Sequence, residues 1–356
     1  VDKEALRTLL KQVKYPGFSR DIVSFGLVQN IDFSDGHVTV QLQLTTSDPK
    51  IPTALKESVE NTLGTAEGVK GVSVEIAVQN PKGAAASGGG QQKLQSLPGV
   101  KFVVAVASGK GGVGKSTVAV NLACALDRAL SERGAHDGVG LLDCDIYGPS
   151  VPLMLGVGGR PEIKGEKIIP PANFGVRCMS MGLLVDDDAP VVWRGPMINQ
   201  AISQFASSVD WSPMEVLVVD LPPGTGDAQL SLVQTIPVDG AVIVTTPQTV
   251  AVSVAQRGAR MFGKVNVPIF GVVENMSFLE MPDGSRQHLF GEGGGQRTAK
   301  ALEAPLLGQV PLDGRVREGG DRGIPIVVSS ASSPSAKVFA EVAKQLLERL
   351  EKASGS

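Results

Sequence analysis

Gly109-Lys110-Gly111-Gly112-Val113-Gly114-Lys115-Ser116 follows directly on the apolar run Lys101 to Ala107. The pattern is G-x-x-x-x-G-K-[ST], a phosphate-cradling loop set between a strand and a helix. Its glycines let the backbone wrap tightly and aim N–H groups at phosphate oxygens. A helix from about Ser116 to Leu130 adds the positive end of its dipole. In such a loop Lys115 reaches the β- and γ-phosphates and the Ser116 hydroxyl ligates Mg²⁺, with Thr117 next in line. The chemistry on offer is binding of a nucleoside triphosphate and transfer of its terminal phosphoryl group.

Two further segments bring carboxylates of the right kind. Val139-Gly140-Leu141-Leu142-Asp143-Cys144-Asp145 ends a strand in two aspartates, and residues two apart on a strand share a face, so both could approach the phosphates. Glu215-Val216-Leu217-Val218-Val219-Asp220-Leu221-Pro222-Pro223-Gly224 is an apolar strand ending in an aspartate, the Walker B pattern. Asp220 is the expected Mg²⁺-side carboxylate. The prolines and glycine after it disfavour helix, as a nucleotide-sensing switch requires.

Short apolar runs alternating with helical patterns must position these groups. Strands are expected at Phe102–Ala107, Val139–Asp143, Val176–Met181, Val216–Leu221, Ala241–Thr245, Ile269–Val273 and Leu306–Val310. Continuous apolar strands between helices indicate a doubly wound, mostly parallel sheet, with ligands at the strands' carboxyl ends. Ahead of this α/β domain (98–352), residues 1–80 read as a small α/β domain. It has helices at Glu4–Lys14, stopped by Tyr15-Pro16-Gly17, and at Thr53–Leu63, and alternating strands at Val38–Leu44 and Val72–Ile76. Residues 81–97 have the composition of a flexible linker.

The chain of 356 residues carries 43 glycines, a formal net charge of −3 and only 4% aromatic residues. The charge argues against nucleic acid as a partner, since phosphate-backbone binding needs a basic face. No apolar run reaches the length of a membrane span. Three scattered cysteines (Cys124, Cys144, Cys178) do not make a disulfide framework and suit a reducing compartment. The expected location is the cytoplasm, or a plastid stroma if a transit peptide preceded Val1.

Lys110, after the first glycine, gives G-K-G-G-V-G-K-S-T, which resembles the deviant P-loop of the MinD/ParA class of ATPases. In that class this lysine contacts the nucleotide held by the partner subunit, so the resemblance implies a homodimer sandwiching ATP. Asp143-Cys144-Asp145-Ile146-Tyr147-Gly148-Pro149-Ser150 and Asp220-Leu221-Pro222-Pro223-Gly224-Thr225-Gly226-Asp227 resemble blocks of the Mrp (ApbC-type) iron–sulfur cluster carrier ATPases. Trp193-Arg194-Gly195-Pro196-Met197, Glu274-Asn275-Met276-Ser277 and Phe290-Gly291-Glu292-Gly293-Gly294-Gly295 are similar to further blocks of that family. Residues 1–80, with Asp21 to Val28, resemble the SufT-like assembly domain often fused ahead of it. The resemblance implies slow ATP hydrolysis, with Lys110, Lys115, Asp145 and Asp220 catalytic. Asp145 would position the attacking water, Asn275 would read the adenine edge and Pro311 would pack on the base. Asp227 falls in the second switch. An asparagine after a strand is also a common turn residue, and a proline there can simply end a strand.

The chain departs from this family where the cluster ligands are concerned. A C-x-x-C is expected shortly after Glu274-Asn275-Met276-Ser277, but Phe278 to His288 holds no cysteine, and Pro282-Asp283-Gly284 reads as the tip of a tight turn. Leu44-Thr45-Thr46 is likewise followed by Ser47-Asp48-Pro49-Lys50. Cys144 and Cys178 are the remaining candidate cluster ligands, though each also reads as a small buried hydrophobe. The expected cofactors are ATP and Mg²⁺, with an iron–sulfur cluster as candidate cargo. The expected partners are a second copy, assembly factors and apoprotein clients. Competing readings are a cluster-free ATP-dependent scaffold and a MinD/ParA-like organiser on membrane or DNA. The helix Ser335–Lys352 discriminates the last of these, since its mixed-charge polar face favours core packing over a membrane surface.

Overall fold

Along β4 (Val100–Ser108), Phe102, Val104 and Val106 enter one hydrophobic core, while Val103, Ala105 and Ala107 enter another on the opposite face. A strand buried on both faces has no polar side to show, which is why it reads as a continuous apolar run. In this computed structural model the described residues are 3–13, 22–23, 27–34, 36–45, 50–66, 68–79, 97–135, 138–145, 148–165, 167–184, 202, 205, 208–224, 227–248, 258 and 261–354. The chain divides after Gln91 into two compact units.

The first unit contains α1 (Lys3–Leu10), β1 (Val28–Ser34), β2 (His37–Thr45), α2 (Lys50–Gly64) and β3 (Gly71–Gln79). Its sheet has the order β1-β2-β3, with β1 antiparallel and β3 parallel to β2. Leu6 and Leu10 of the first helix and Leu55, Val59 and Leu63 of the second cover Val38, Val40, Leu42 and Val74. The first helix ends at Leu10, short of the expected Lys14, and Lys11 and Gln12 turn away. Tyr15-Pro16-Gly17 lies outside the described residues, as does 81–96 of the expected linker. Leu97, counted with that linker on sequence, is instead buried in the core of the second unit.

The second unit follows β4 with α3 (Lys115–Glu132), β5 (Val139–Asp143) and α4 (Val151–Leu155). Next come a small hairpin of β6 (Glu162–Lys164) and β7 (Lys167–Ile169), then β8 (Ala172–Asn173) and β9 (Val176–Ser180). The remaining strands of the sheet are β10 (Met214–Asp220), β11 (Gly240–Thr245), β12 (Ile269–Glu274) and β15 (Leu306–Gln309). Between the last two stands a hairpin of β13 (Leu279–Glu280) and β14 (Arg286–Gln287). Among the described residues the main sheet has eight strands in the order β15-β12-β11-β4-β10-β5-β9-β8. All neighbours are parallel except β8, which runs antiparallel to β9. From β4 the chain first builds toward β9 and later returns to build from β11 to β15. The reversal lies at β4, the place where doubly wound sheets open a crevice for ligand.

The C-terminal helix Pro334–Ser354 packs Phe339, Val342, Ala343, Leu346, Leu347 and Leu350 into the core that also holds Leu122 and Leu126 of α3. Gly308 lets the helix approach β15 closely, since a Cβ there would meet Val338 and Val342 at 2.8 Å. No helix among the described residues is long and apolar enough to cross a membrane.

Candidate nucleotide site

The phosphate loop leaves the carboxyl end of β4 and enters α3 at Lys115. Gly112 and Gly114 both have φ of +77°, a region in which a side chain is strained. At Gly114 space is also closed, because a Cβ would collide with the Asn275 amide nitrogen. Val118 N donates to Gly114 O, so the helix begins on the loop's last glycine.

Lys115 and Asp220 are both buried. Lys115 Nζ lies 2.5 Å from Asp220 Oδ1, and Ser116 Oγ donates to Asp220 Oδ2 at 2.6 Å. Burial pushes the Asp220 carboxyl upward, opposed by the Lys115 charge and by the hydrogen bonds from Lys115 and Ser116. A hydroxyl and a carboxylate already in contact form an all-oxygen donor pair, which suits a hard cation such as Mg²⁺.

Asp143 and Asp145 part company. Asp145 lines a cleft of about 190 Å³ with Lys110, Lys115, Ser116, Ser150 and three of the loop glycines, Gly111, Gly112 and Gly114. Asp143 is buried beneath it and does not line the cleft, contrary to the expectation of a shared face. The strand ends at Asp143, and the backbone turns so that Asp145 N donates to Asp143 Oδ1 at 3.0 Å. Ser180 Oγ donates to the other carboxylate oxygen at 2.9 Å. Burial, then the nearby Asp220 charge, push the Asp143 carboxyl up to about 7. Lys110 lines the cleft and donates to Gln248 Oε1 at 2.7 Å.

A second cavity of about 260 Å³ shares Thr117 and Met154 with the first and is lined by Asn275, Met276, Pro311, Leu312 and Val316. Asn275 and Pro311 thus stand on one pocket beside the phosphate loop. Asn275 Nδ2 also donates to Val113 O at 2.9 Å, tying the loop to the end of β12. Sequence reasoning missed this tie, and it named Glu274 only within a family block, missing its role as a buried carboxylate that accepts from Ser277 Oγ, Gly295 N and Gln309 Nε2. The nearest hint was the run of glycines at 293–295, because a Cβ on Gly295 would meet Glu274 at 2.6 Å. Gly109 opens the loop at the end of β4 and Gly111 has open space around its Cα. The Asp227 side chain and the Trp193 to Met197 block lie outside the described residues.

The structure does not bring Cys144 and Cys178 together. Cys178 belongs to the core on the α3 face of the sheet and Cys144 to the core on the other face. Both are free and buried, and burial pushes both thiols well up, which disfavours the thiolate a metal needs. Among the described residues no three His, Cys, Asp or Glu side chains are grouped to hold a metal ion. Where the C-x-x-C is expected, Met281 to Ser285 instead closes the β13–β14 hairpin. Asp283 Oδ1 accepts from Ser285 N and Oγ, and Gly284 has φ of +81°.

The iron–sulfur cluster carrier protein of Synechocystis sp. is 45% identical over 99% of this chain and 98% of its own length. The iron–sulfur cluster transfer protein NUBPL of Mus musculus is 48% identical over 74% of this chain and 82% of its own. A nucleotide-binding protein of Archaeoglobus fulgidus, solved in complex with ADP, superposes with a TM-score of 0.58 at 33% identity, over 69% of this chain and 94% of its own. Residues 3–76 match the iron–sulfur cluster assembly protein family. Residues 99–347 match the ParA family described as NUBPL iron-transfer P-loop NTPase, and the chain belongs to that family, with an iron–sulfur assembly domain in front.

Proposed function

We propose that this chain hydrolyses ATP with Mg²⁺ as a nucleotide-sandwich homodimer, and uses the cycle to assemble or carry iron–sulfur clusters. The observation that carries the reading is Asp220 held between Lys115 and Ser116 beneath the loop, with Asp145 on the cleft wall. The loop amides and Lys115 would bind the β- and γ-phosphates, and Asn275 and Pro311 would hold the base. Ser116 and Asp220 would hold Mg²⁺, which when bound neutralises charge on the phosphates. Asp145 would orient the attacking water and accept its proton as the β–γ bridge breaks. Lys110 would leave Gln248 to meet the partner subunit's nucleotide. Phosphate release from ATP, measured with and without Mg²⁺ in wild type, Lys115→Ala and Asp145→Ala, tests this: both variants should be inactive, and an active Lys115→Ala overturns it.

A second reading is a cluster-free, ATP-driven scaffold in which the first unit recruits assembly factors and apoprotein clients. It is favoured by the buried cysteines on opposite sheet faces and the cysteine-free hairpin. Anaerobic reconstitution with ferrous iron and sulfide separates the two, since only a carrier retains stoichiometric iron. A membrane-bound organiser is less well supported, because the apolar stripe of the C-terminal helix is taken up by the core. Three free thiols fit a reducing compartment, cytoplasm or plastid stroma.

A further inference from the structure

The end of β9 and the turn after it reach toward both Asp145 and Pro149. Ser180 pairs in register with Asp143 across β5 and β9, and it is fully buried. Its hydroxyl donates to Asp143 Oδ2 at 2.9 Å while Asp143 Oδ1 accepts from Asp145 N at 3.0 Å. One carboxylate therefore spans from the Ser180 hydroxyl to the Asp145 backbone. The same Ser180 oxygen accepts from Gly182 N at 3.1 Å and caps the 3-10 turn Met181–Leu183. That turn lies against Pro149, since a Cβ on Gly182 would lie 3.1 Å from Pro149 Cβ and Cγ. Pro149 precedes Ser150, which lines the phosphate cleft with Asp145.

We propose that Ser180 and Gly182 are positioning residues for hydrolysis: they fix where Asp145 stands in the cleft without touching nucleotide. The inference rests on the reading of Asp145 as the residue that orients the attacking water. A buried carboxylate with one donor removed is free to turn, and Asp143 would then no longer hold the Asp145 amide. Nucleotide affinity comes from the phosphate loop and the base pocket, so it should not follow. A small displacement of a water-orienting group costs rate much more than binding.

The test is steady-state ATP hydrolysis by the full chain, with affinity for a fluorescent ATP analogue and thermal unfolding measured alongside. Ser180→Ala should lower kcat about tenfold to a hundredfold, with KM and analogue affinity within about twofold of wild type. Ser180→Thr, which keeps the hydroxyl, should recover most of the loss. Gly182→Ala, which presses on Pro149, gives the same kcat-only loss and decides the matter if Ser180→Ala does not fold. Wild-type turnover in both Ser180→Ala and Gly182→Ala, with Asp145→Ala inactive, would overturn the inference and leave the reading of Asp145 intact. Full turnover in Asp145→Ala would overturn both.

Discussion

Lys115 Nζ and Asp220 Oδ1 are 2.5 Å apart in a site where both side chains are almost wholly withdrawn from water. The pair links the first turn of α3 to the end of β10, and Ser116 closes it from the same turn. In the proposed binding mode Lys115 would leave Asp220 to reach a phosphate, and a cation shared by Ser116 and Asp220 would take its place. That exchange of partners would couple the phosphate loop to the Walker B strand.

Removing one member of such a pair strands the other. Lys115→Ala should destabilise the protein by on the order of 3 kcal/mol, besides abolishing nucleotide binding. The double variant Lys115→Ala/Asp220→Asn should regain part of that loss, since no buried charge is left alone. Urea unfolding of wild type and the two variants without nucleotide checks this. A double variant less stable than Lys115→Ala would show that the pair is not the source of the cost.

The loop glycines should differ sharply in tolerance. Gly114 has φ of +77° and faces the Asn275 amide, whereas Gly111 has open space and no such φ. Gly114→Ala should cost about 1–2 kcal/mol from backbone strain alone, plus the displacement of Asn275, and nucleotide binding with it. Gly111→Ala should unfold within about 0.5 kcal/mol of wild type. Thermal unfolding and nucleotide titration of both variants separate conformational need from mere composition.

How far the sequence could be read depended on whether a group's partner was local. The parallel strands were legible because both faces are buried: Val139–Asp143 is placed as expected, and β4 and β10 differ from expectation only by one or two terminal residues. β1 was not foreseen, and its register shift between Val28 and Asn30 breaks the alternation that marks a strand. The β6–β7 hairpin is mostly exposed, with only the half-buried Ile168 and Ile169 turned toward the protein, so it shows little core pattern. The phosphate loop was legible because its spacing is its chemistry. Asp143 was not, because its partners are Ser180, 37 residues away, and a backbone amide that only a turn could supply. Glu274 similarly depends on Gly295 and Gln309, which no periodicity links to it.

Asn275 has two tasks, and they can be told apart. Its Nδ2 holds the Val113 carbonyl, while the side chain also lines the pocket proposed for the base. Asn275→Ala should weaken ATP affinity about tenfold, roughly the 1–1.5 kcal/mol of one hydrogen bond. Asn275→Asp should be worse for the fold, since a carboxylate would then face the Val113 carbonyl with no proton between them. Thermal unfolding of both variants, with ATP titration, checks the order. An aspartate variant as stable as wild type would show that the Val113 tie is dispensable.

The cysteines give a prediction in which pH sets the sign. Burial pushes the Cys124 thiol up to about 12, with the Asp127 charge adding to it, and burial raises Cys144 and Cys178 as well. Below the unfolded thiol value of about 8.5, these groups are protonated in both states and stability does not depend on them. Above it the unfolded chain releases protons that the folded chain keeps, so stability falls as pH rises toward 12. Wild type should therefore lose more stability between pH 8 and pH 10 than Cys124→Ala does, in urea unfolding at the two values. At pH 8 all three thiols should resist an aromatic disulfide reagent in the native protein and react fully in denaturant. The same burial bears on cargo: Cys144→Ser and Cys178→Ser should retain whatever iron and sulfide the wild type takes up on anaerobic reconstitution. Loss of a stoichiometric cluster in either variant would show that the sheet opens enough to expose a thiolate, and would make that cysteine a ligand after all.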